Sequence, residues 1–226
     1  MGQCRHKSFC TGLISYTFLR SFMQSNYAVM EDQARMLFCR YDLSKIAARW
    51  NLAGDEEYVY IPYFGKQYRI RRSDGKVFSP ADVPVPLREG TFGASLTIYD
   101  VLTYSKENPG LSGSWESLST LGGIIGAGHE HSLTGDPMHH NLRTDLQYMK
   151  GVLLEMGSTH MEQTSADLDY VVPVFPFLPM RFQYWAADDE FPASVKYLWD
   201  RNTLRFMHYE TLWYAMGDFD QWLNIK

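Results

Sequence analysis

The chain has few of the patterns that usually declare a function. It holds three cysteines, Cys4, Cys10 and Cys39, among 226 residues. An odd count without Cys-x-x-Cys spacing argues against a disulfide framework or a zinc knuckle. It points to a reducing, cytoplasmic setting. No run approaches the roughly 20 apolar residues of a membrane span, so no membrane partner is expected. Positive charge is clustered only at Arg69, Arg71 and Arg72, and the formal net charge is -5. A nucleic-acid partner would need a basic face, and none is expected. Gly122-Gly123 is not followed by the Lys-Ser/Thr of a phosphate loop. Ser114 and Ser117 lie in no nucleophile elbow. No cofactor is identifiable from these residues.

The N-terminus also lacks an address. "RHK" before "SFCTGLISYTFL" has the outline of a signal peptide, but Ser and Thr dilute the apolar part and no small-residue cleavage site follows. "MGQC" would need Ser or Thr where His6 stands to be myristoylated. Residues 1–22 are therefore read as a loose extension upstream of the true start, with Met23 or Met30 as the functional first residue, and residues 23–226 as a single domain.

What is present is a real core: 45% of the residues are hydrophobic and 15% aromatic, with tyrosine the commonest aromatic. Tyrosine favours half-buried positions with a wet hydroxyl, so an amphipathic, concave or partner-covered face is expected. Met30, Ala34, Leu37, Phe38 and Tyr41 fall at helical spacing between Asn26 and Trp50. Asp42 can cap a second helix buried through Leu43, Ile46, Ala47 and Trp50, with Gly54 as its stop. "EYVYIPYFGKQYRIRR" alternates as a hairpin turning at Phe64-Gly65-Lys66, and "SDGK" turns on into Val77-Phe78. The proline-rich "SPADVPVP" reads as a surface connection.

"ASLTIYDVLTYSKEN" predicts a helix buried through Leu96, Tyr99, Val101, Leu102 and Tyr104 and ended by Asn108-Pro109-Gly110. A glycine- and serine-rich loop with one short helix should follow. A further helix is predicted from about Pro137 to Met156. The last third reads as strands, "DYVVPVFPFLP" and "MRFQYWAA" joined at Leu178-Pro179, then "SVKYLWD", with a closing helix over about Tyr209–Leu223. The class is α+β: a mainly antiparallel sheet of about five strands packed with four or five helices.

Two stretches carry candidate chemistry. In "WAADDEFPASVKYLWD", Asp188, Asp189 and Glu190 stand together before Phe191-Pro192. Adjacent carboxylates can raise one another's pKa for acid/base work, or attract a cation or amine. The bland alternative is a strand connection in which Phe191 anchors the loop in the core and the carboxylates take backbone N–H groups. Successive extended residues point to opposite sides, so three in a row cannot converge. If a site exists, Asp188 or Glu190 carries it, helped by Trp185. In "GHEHSLTGDPMHH", His129 and His131 have the i, i+2 spacing of metal ligands on a strand. The flanking Gly126, Gly128 and Gly135 favour a solvated loop instead. Asp200 and Asn202 read as caps, and Glu210 as a first-turn acid of the last helix. Trp115 reads as a core or lid anchor, and Cys39 as a packed helical residue.

At "PVFPFLPMRFQYWAADDEFPASVKYLWDRNTLRFMHYET" the chain resembles an uncharacterised prokaryotic family, domain of unknown function 3786. The shared elements are Pro176 and Pro179, then Trp185, the Asp188-Asp189-Glu190-Phe191-Pro192 run, Asp200, and His208-Tyr209-Glu210. "LTIYDVLTYSKENPGLSGSWESLSTLGG" is similar to the family's helix, its Leu-x-Gly-x-Trp turn and its Gly-Gly. Asp100 stands where relatives often carry His. The resemblance covers about residues 26–222. Some relatives carry an iron–sulfur domain and occur in anaerobes. This chain lacks the cysteine quartet for a cluster, so the resemblance implies a stand-alone form linked to anaerobic cofactor metabolism by association. Two functions stay open: a module binding a small-molecule ligand or protein partner through Trp185, Asp188, Asp189, Glu190, Phe191, Trp115 and Glu210, or a metal-dependent hydrolase using the acidic loop with His129 and His131.

Overall fold

A computed structural model describes residues 26–80, 92–122, 131–132, 144–162 and 164–224, with residues 131–132 described as backbone. The elements run α1 (Asn26–Phe38), α2 (Leu43–Arg49), β1 (Tyr58–Tyr63), β2 (Lys66–Arg71), β3 (Val77–Phe78), α3 (Phe92–Tyr104), β4 (Trp115–Ser117) and α4 (Leu118–Leu121). They continue with β5 (His131–Ser132), α5 (Leu146–Glu155), β6 (Thr159–His160), β7 (Leu168–Phe175), β8 (Leu178–Trp185), β9 (Ser194–Asp200) and α6 (Tyr209–Asn224). The fold is α+β, as expected. One antiparallel sheet has the order β1-β2-β3; the larger follows β4-β9-β8-β7-β6, with β5 also pairing with β9.

The hairpin alternates as its sequence requires. Val59, Ile61 and Tyr63 are buried on β1, and Tyr68 and Ile70 on β2. Its loop is two residues, Phe64 and Gly65, at φ 46° and 72°, because Lys66 already pairs with Tyr63. Positive φ at both loop positions matches the twist of the strands. The Phe64 N–H donates to the Val174 carbonyl at 3.1 Å, which ties the small sheet to β7. β9 buries Val195, Tyr197 and Trp199, and the Phe219 ring of α6 meets Tyr197 and Phe182 edge-on.

Several boundaries differ from expectation. The β7–β8 turn is Pro176-Phe177 rather than Leu178-Pro179, since Leu178 and Pro179 already pair back to Phe175 and Pro173. α2 is capped by Asp42, which accepts from Ser44 and Lys45, but it ends at Trp50, before Asn51 turns to positive φ, rather than at Gly54. α3 stops at Tyr104, where the Ser105 hydroxyl bonds the Val101 carbonyl. α5 starts at Leu146, capped by Asp145. Its expected start at Pro137 lies outside the described residues, as does most of the "SPADVPVP" connection. Of the expected α1 stripe only Phe38 is buried, and Met30, Leu37 and Tyr41 are exposed. Cys39 is exposed too, its thiol donating to the Asp74 carbonyl at 3.1 Å.

Candidate functional site

The acidic loop connects β8 to β9, whose last register pair is Trp185 with Ser194. Asp188 organises it. One carboxylate oxygen accepts the N–H groups of Glu190 at 2.9 Å and Phe191 at 2.7 Å, while the Asp188 N–H donates to the Phe191 carbonyl at 3.0 Å. These backbone donors from Phe191 and Glu190 lower the Asp188 pKa. The expected raising by adjacent carboxylates is therefore not what Asp188 shows: the N–H donors aimed at its carboxylate outweigh the small opposing effect of desolvation. Phe191 does not anchor the loop in the core. It is 66% exposed, because the turn set by Asp188 directs the chain outward before Ala193 re-enters the core.

Beside this loop lies an open cleft of about 590 Å³. Trp185, Asp188, Phe191 and Ser194 line it, joined by Ser165 and Asp167 from the segment entering β7. Asp167 accepts the Ala186 N–H at 2.7 Å, and its own N–H donates to the Tyr184 carbonyl at 2.9 Å. The Trp185 indole N–H reaches the Ser165 hydroxyl at 3.4 Å. The cleft thus combines two exposed carboxylates, two serine hydroxyls and two aromatic rings, at the end of the sheet where β7 begins, β8 ends and β9 begins.

The remaining sequence candidates are not gathered here. Asp189, Glu190, Trp115 and Glu210 do not line the cleft. Trp115 pairs with Asp200, at the far end of β9 and so roughly 20 Å from Ser194 at about 3.3 Å per residue. Glu210 is exposed in the first turn of α6. Asp200 does not cap that helix. It is buried, where desolvation would raise its pKa, but N–H groups of Ser112, Asn202 and Gly113 and the Ser112 hydroxyl hold it below the ordinary value. Asn202 donates its side-chain amide to the Gly110 carbonyl at 2.9 Å and caps nothing.

The histidine stretch falls mostly outside the described residues: His129 is among those not described, and His131 is described through its backbone. β5 pairs His131 with Val195 and Ser132 with Ser194. Backbone pairing therefore brings His131 and Ser132 to the end of β9 that carries the cleft, across more than sixty intervening residues. Among the described residues, no three His, Cys, Asp or Glu side chains converge to hold a metal ion. No described helix is long and apolar enough to cross a membrane.

Asp167 and Ser165 escaped sequence reading. They lie in "TSADLDY", an ordinary polar turn before a strand, and only the register of β7 on β8 (Leu168 with Tyr184) carries them to Trp185.

Fold and cleft together define the class: an α+β domain built on an antiparallel sheet, with an open acidic-aromatic cleft at one sheet end. Residues 42–219 match the family model described as Domain of unknown function (DUF3786), and the chain belongs to that family. No curated protein and no solved structure matches the chain.

Proposed function

We propose that the protein is a binding module whose ligand is an organic cation, either a small amine or the basic side chain of a partner, held in the cleft between Trp185, Phe191, Asp167 and Asp188. The observation that carries this reading is the pairing of two aromatic rings, half-buried Trp185 and exposed Phe191, with the carboxylates of Asp188 and Asp167. An ammonium is attracted to the face of an aromatic ring and to a carboxylate alike. Asp188, with its pKa lowered by two N–H donors, stays an anion at neutral pH and is a poor general acid. The cleft volume of about 590 Å³ falls within the range usual for small-molecule sites, roughly 300–1,000 Å³.

The test is thermal denaturation with cadaverine, choline or lysine as chloride salts, against sodium chloride at equal ionic strength. A ligand at ten times its dissociation constant adds about 1.4 kcal/mol, which raises the midpoint of a chain this size by about 2–4 °C. Asp188→Asn keeps an oxygen for the N–H groups of Glu190 and Phe191 while removing the charge, so it should keep the fold and lose the shift. Equal shifts in wild type and in Asp188→Asn would refute the reading. The hydrolase reading draws on the β5–β9 pairing. Stoichiometric metal in purified protein, lost on His131→Ala, would favour it over the binding module.

A further inference from the structure

A second concavity, also of about 590 Å³, lies between α1, α3 and α6 and shares no residue with the cleft. Its apolar wall includes Met30, Ala34 and Leu37 of α1 and Leu96 of α3. Leu37 is 54% exposed and Met30 44%, so an apolar surface that helical spacing would direct to a core is left uncovered by the described residues. Its charged lining groups are Arg40, Asp100 and His208.

These polar groups are built, not scattered. Asp100 faces the His208 ring, with Oδ1 at 2.6 Å from Nδ1. Its Oδ2 accepts the His208 N–H at 2.8 Å and the Thr211 hydroxyl at 2.6 Å. The Tyr104 ring lies against the imidazole, with centroids 3.7 Å apart. Three donors occupy a carboxylate that offers about four acceptor sites. Asp100 therefore orients the imidazole rather than meeting a ligand, and Nδ1 is the protonated nitrogen. Nε2 has no protein partner among the described residues, and no carboxylate among them pairs with Arg40.

We propose that this groove binds an amphipathic carboxylate, a molecule with an apolar body and a single acidic head. The head pairs with Nε2–H of His208 and with the Arg40 guanidinium. A proton taken up on Nε2 together with the ligand lets the ring donate to both carboxylates, Asp100 on Nδ1 and the ligand on Nε2. Arg40 supplies the planar fork suited to a carboxylate. The apolar body covers Met30 and Leu37, whose exposure is otherwise unfavourable. Charge complementarity selects the occupant: Asp100 already accepts three donors, and the Arg40 guanidinium pairs with no carboxylate among the described residues, so the groove's unmatched charge is positive and favours an anionic head.

The experiment is isothermal titration of the full chain with decanoate, with decanol as the headless control. Decanoate should bind at one saturable site below its micellar concentration. His208→Gln and Arg40→Gln should each weaken it by about tenfold or more, the scale of one charge-assisted hydrogen bond. Decanol should bind at least about tenfold more weakly than decanoate, and Lys150→Gln, on exposed α5 surface, should bind as wild type. His208→Gln leaves the backbone N–H to Asp100 in place. Should that variant fail to fold by circular dichroism, Arg40→Gln decides, because Arg40 is exposed. Absence of saturable binding, wild-type affinity in the folded variants, equal binding of decanol, or equal weakening by Lys150→Gln each overturns the proposal. Because the two sites share no residue, loss of decanoate binding leaves the amine response of the cleft intact, and the reverse.

Discussion

Asp218 shows how far one side chain's behaviour departs from its type. It is buried on α6, and burial pushes its pKa up to about 7, partly offset by the hydrogen bond that the Tyr63 hydroxyl donates at 2.7 Å. The carboxyl also lies against Gly93, where an added Cβ would come within 2.4 Å of its Oδ1. An aspartate at its ordinary value in the unfolded chain and about 7 in the fold binds its proton more tightly when folded. Its contribution to stability is fully present below about pH 4 and is lost as pH rises through about 7. At 1.36 kcal/mol per pKa unit, about three units give a difference on the order of 4 kcal/mol across that window. Asp218→Asn should therefore come nearest wild type at about pH 4 and below and exceed it at pH 8 in urea melts; unchanged pH dependence in the variant would refute the assignment. Asp169 is the opposite case. Burial raises its pKa, but the paired bonds from Arg181 and the bond from Gln183 outweigh that and lower it. Asp188, Asp200, Asp218 and Asp100 are one residue type in four roles, and neighbours in sequence separate them poorly.

Elements with a local signal were legible. The alternation in "EYVYIPY" and "SVKYLWD" and the cap at Asp42 rest on patterns within a few residues, and all three appear as read. Elements set by pairing were not. β4 and β5 are two or three residues long, too short for a period, and exist through β9 alone. The turn at Pro176-Phe177 was displaced in the reading because Pro179 looked like the breaker, whereas Pro173 and Pro179 face each other next to a register shift. The hairpin loop permits a direct check. Gly65 has φ 72°, and a Cβ there would come within 2.6 Å of the Met156 carbonyl oxygen. Gly65→Ala combines a left-handed backbone cost of about 1–2 kcal/mol with a backbone clash. A loss of about 2 kcal/mol or more is expected in denaturant melts; a neutral result would mean that the loop and α5 are free to separate.

In the molecule as a whole, both concavities are assembled from segments far apart in the chain, and this set the limit of sequence reading. Trp185, Asp188 and Phe191 were visible as a cluster because they are contiguous; Asp167 joins them only through the β7–β8 register. Asp100 and His208 were noted separately, as a departure from the family helix and as part of its closing motif, and nothing local announces that they meet across 108 positions. The cleft as a cation site is the central claim. The most direct measurement is a ¹H–¹⁵N NMR titration of the labelled chain with cadaverine. The account predicts saturable shifts concentrated at the Trp185 indole, at Asp167 and at the amides of Glu190 and Phe191, abolished in Asp188→Asn. Shifts elsewhere with these signals unmoved would contradict it.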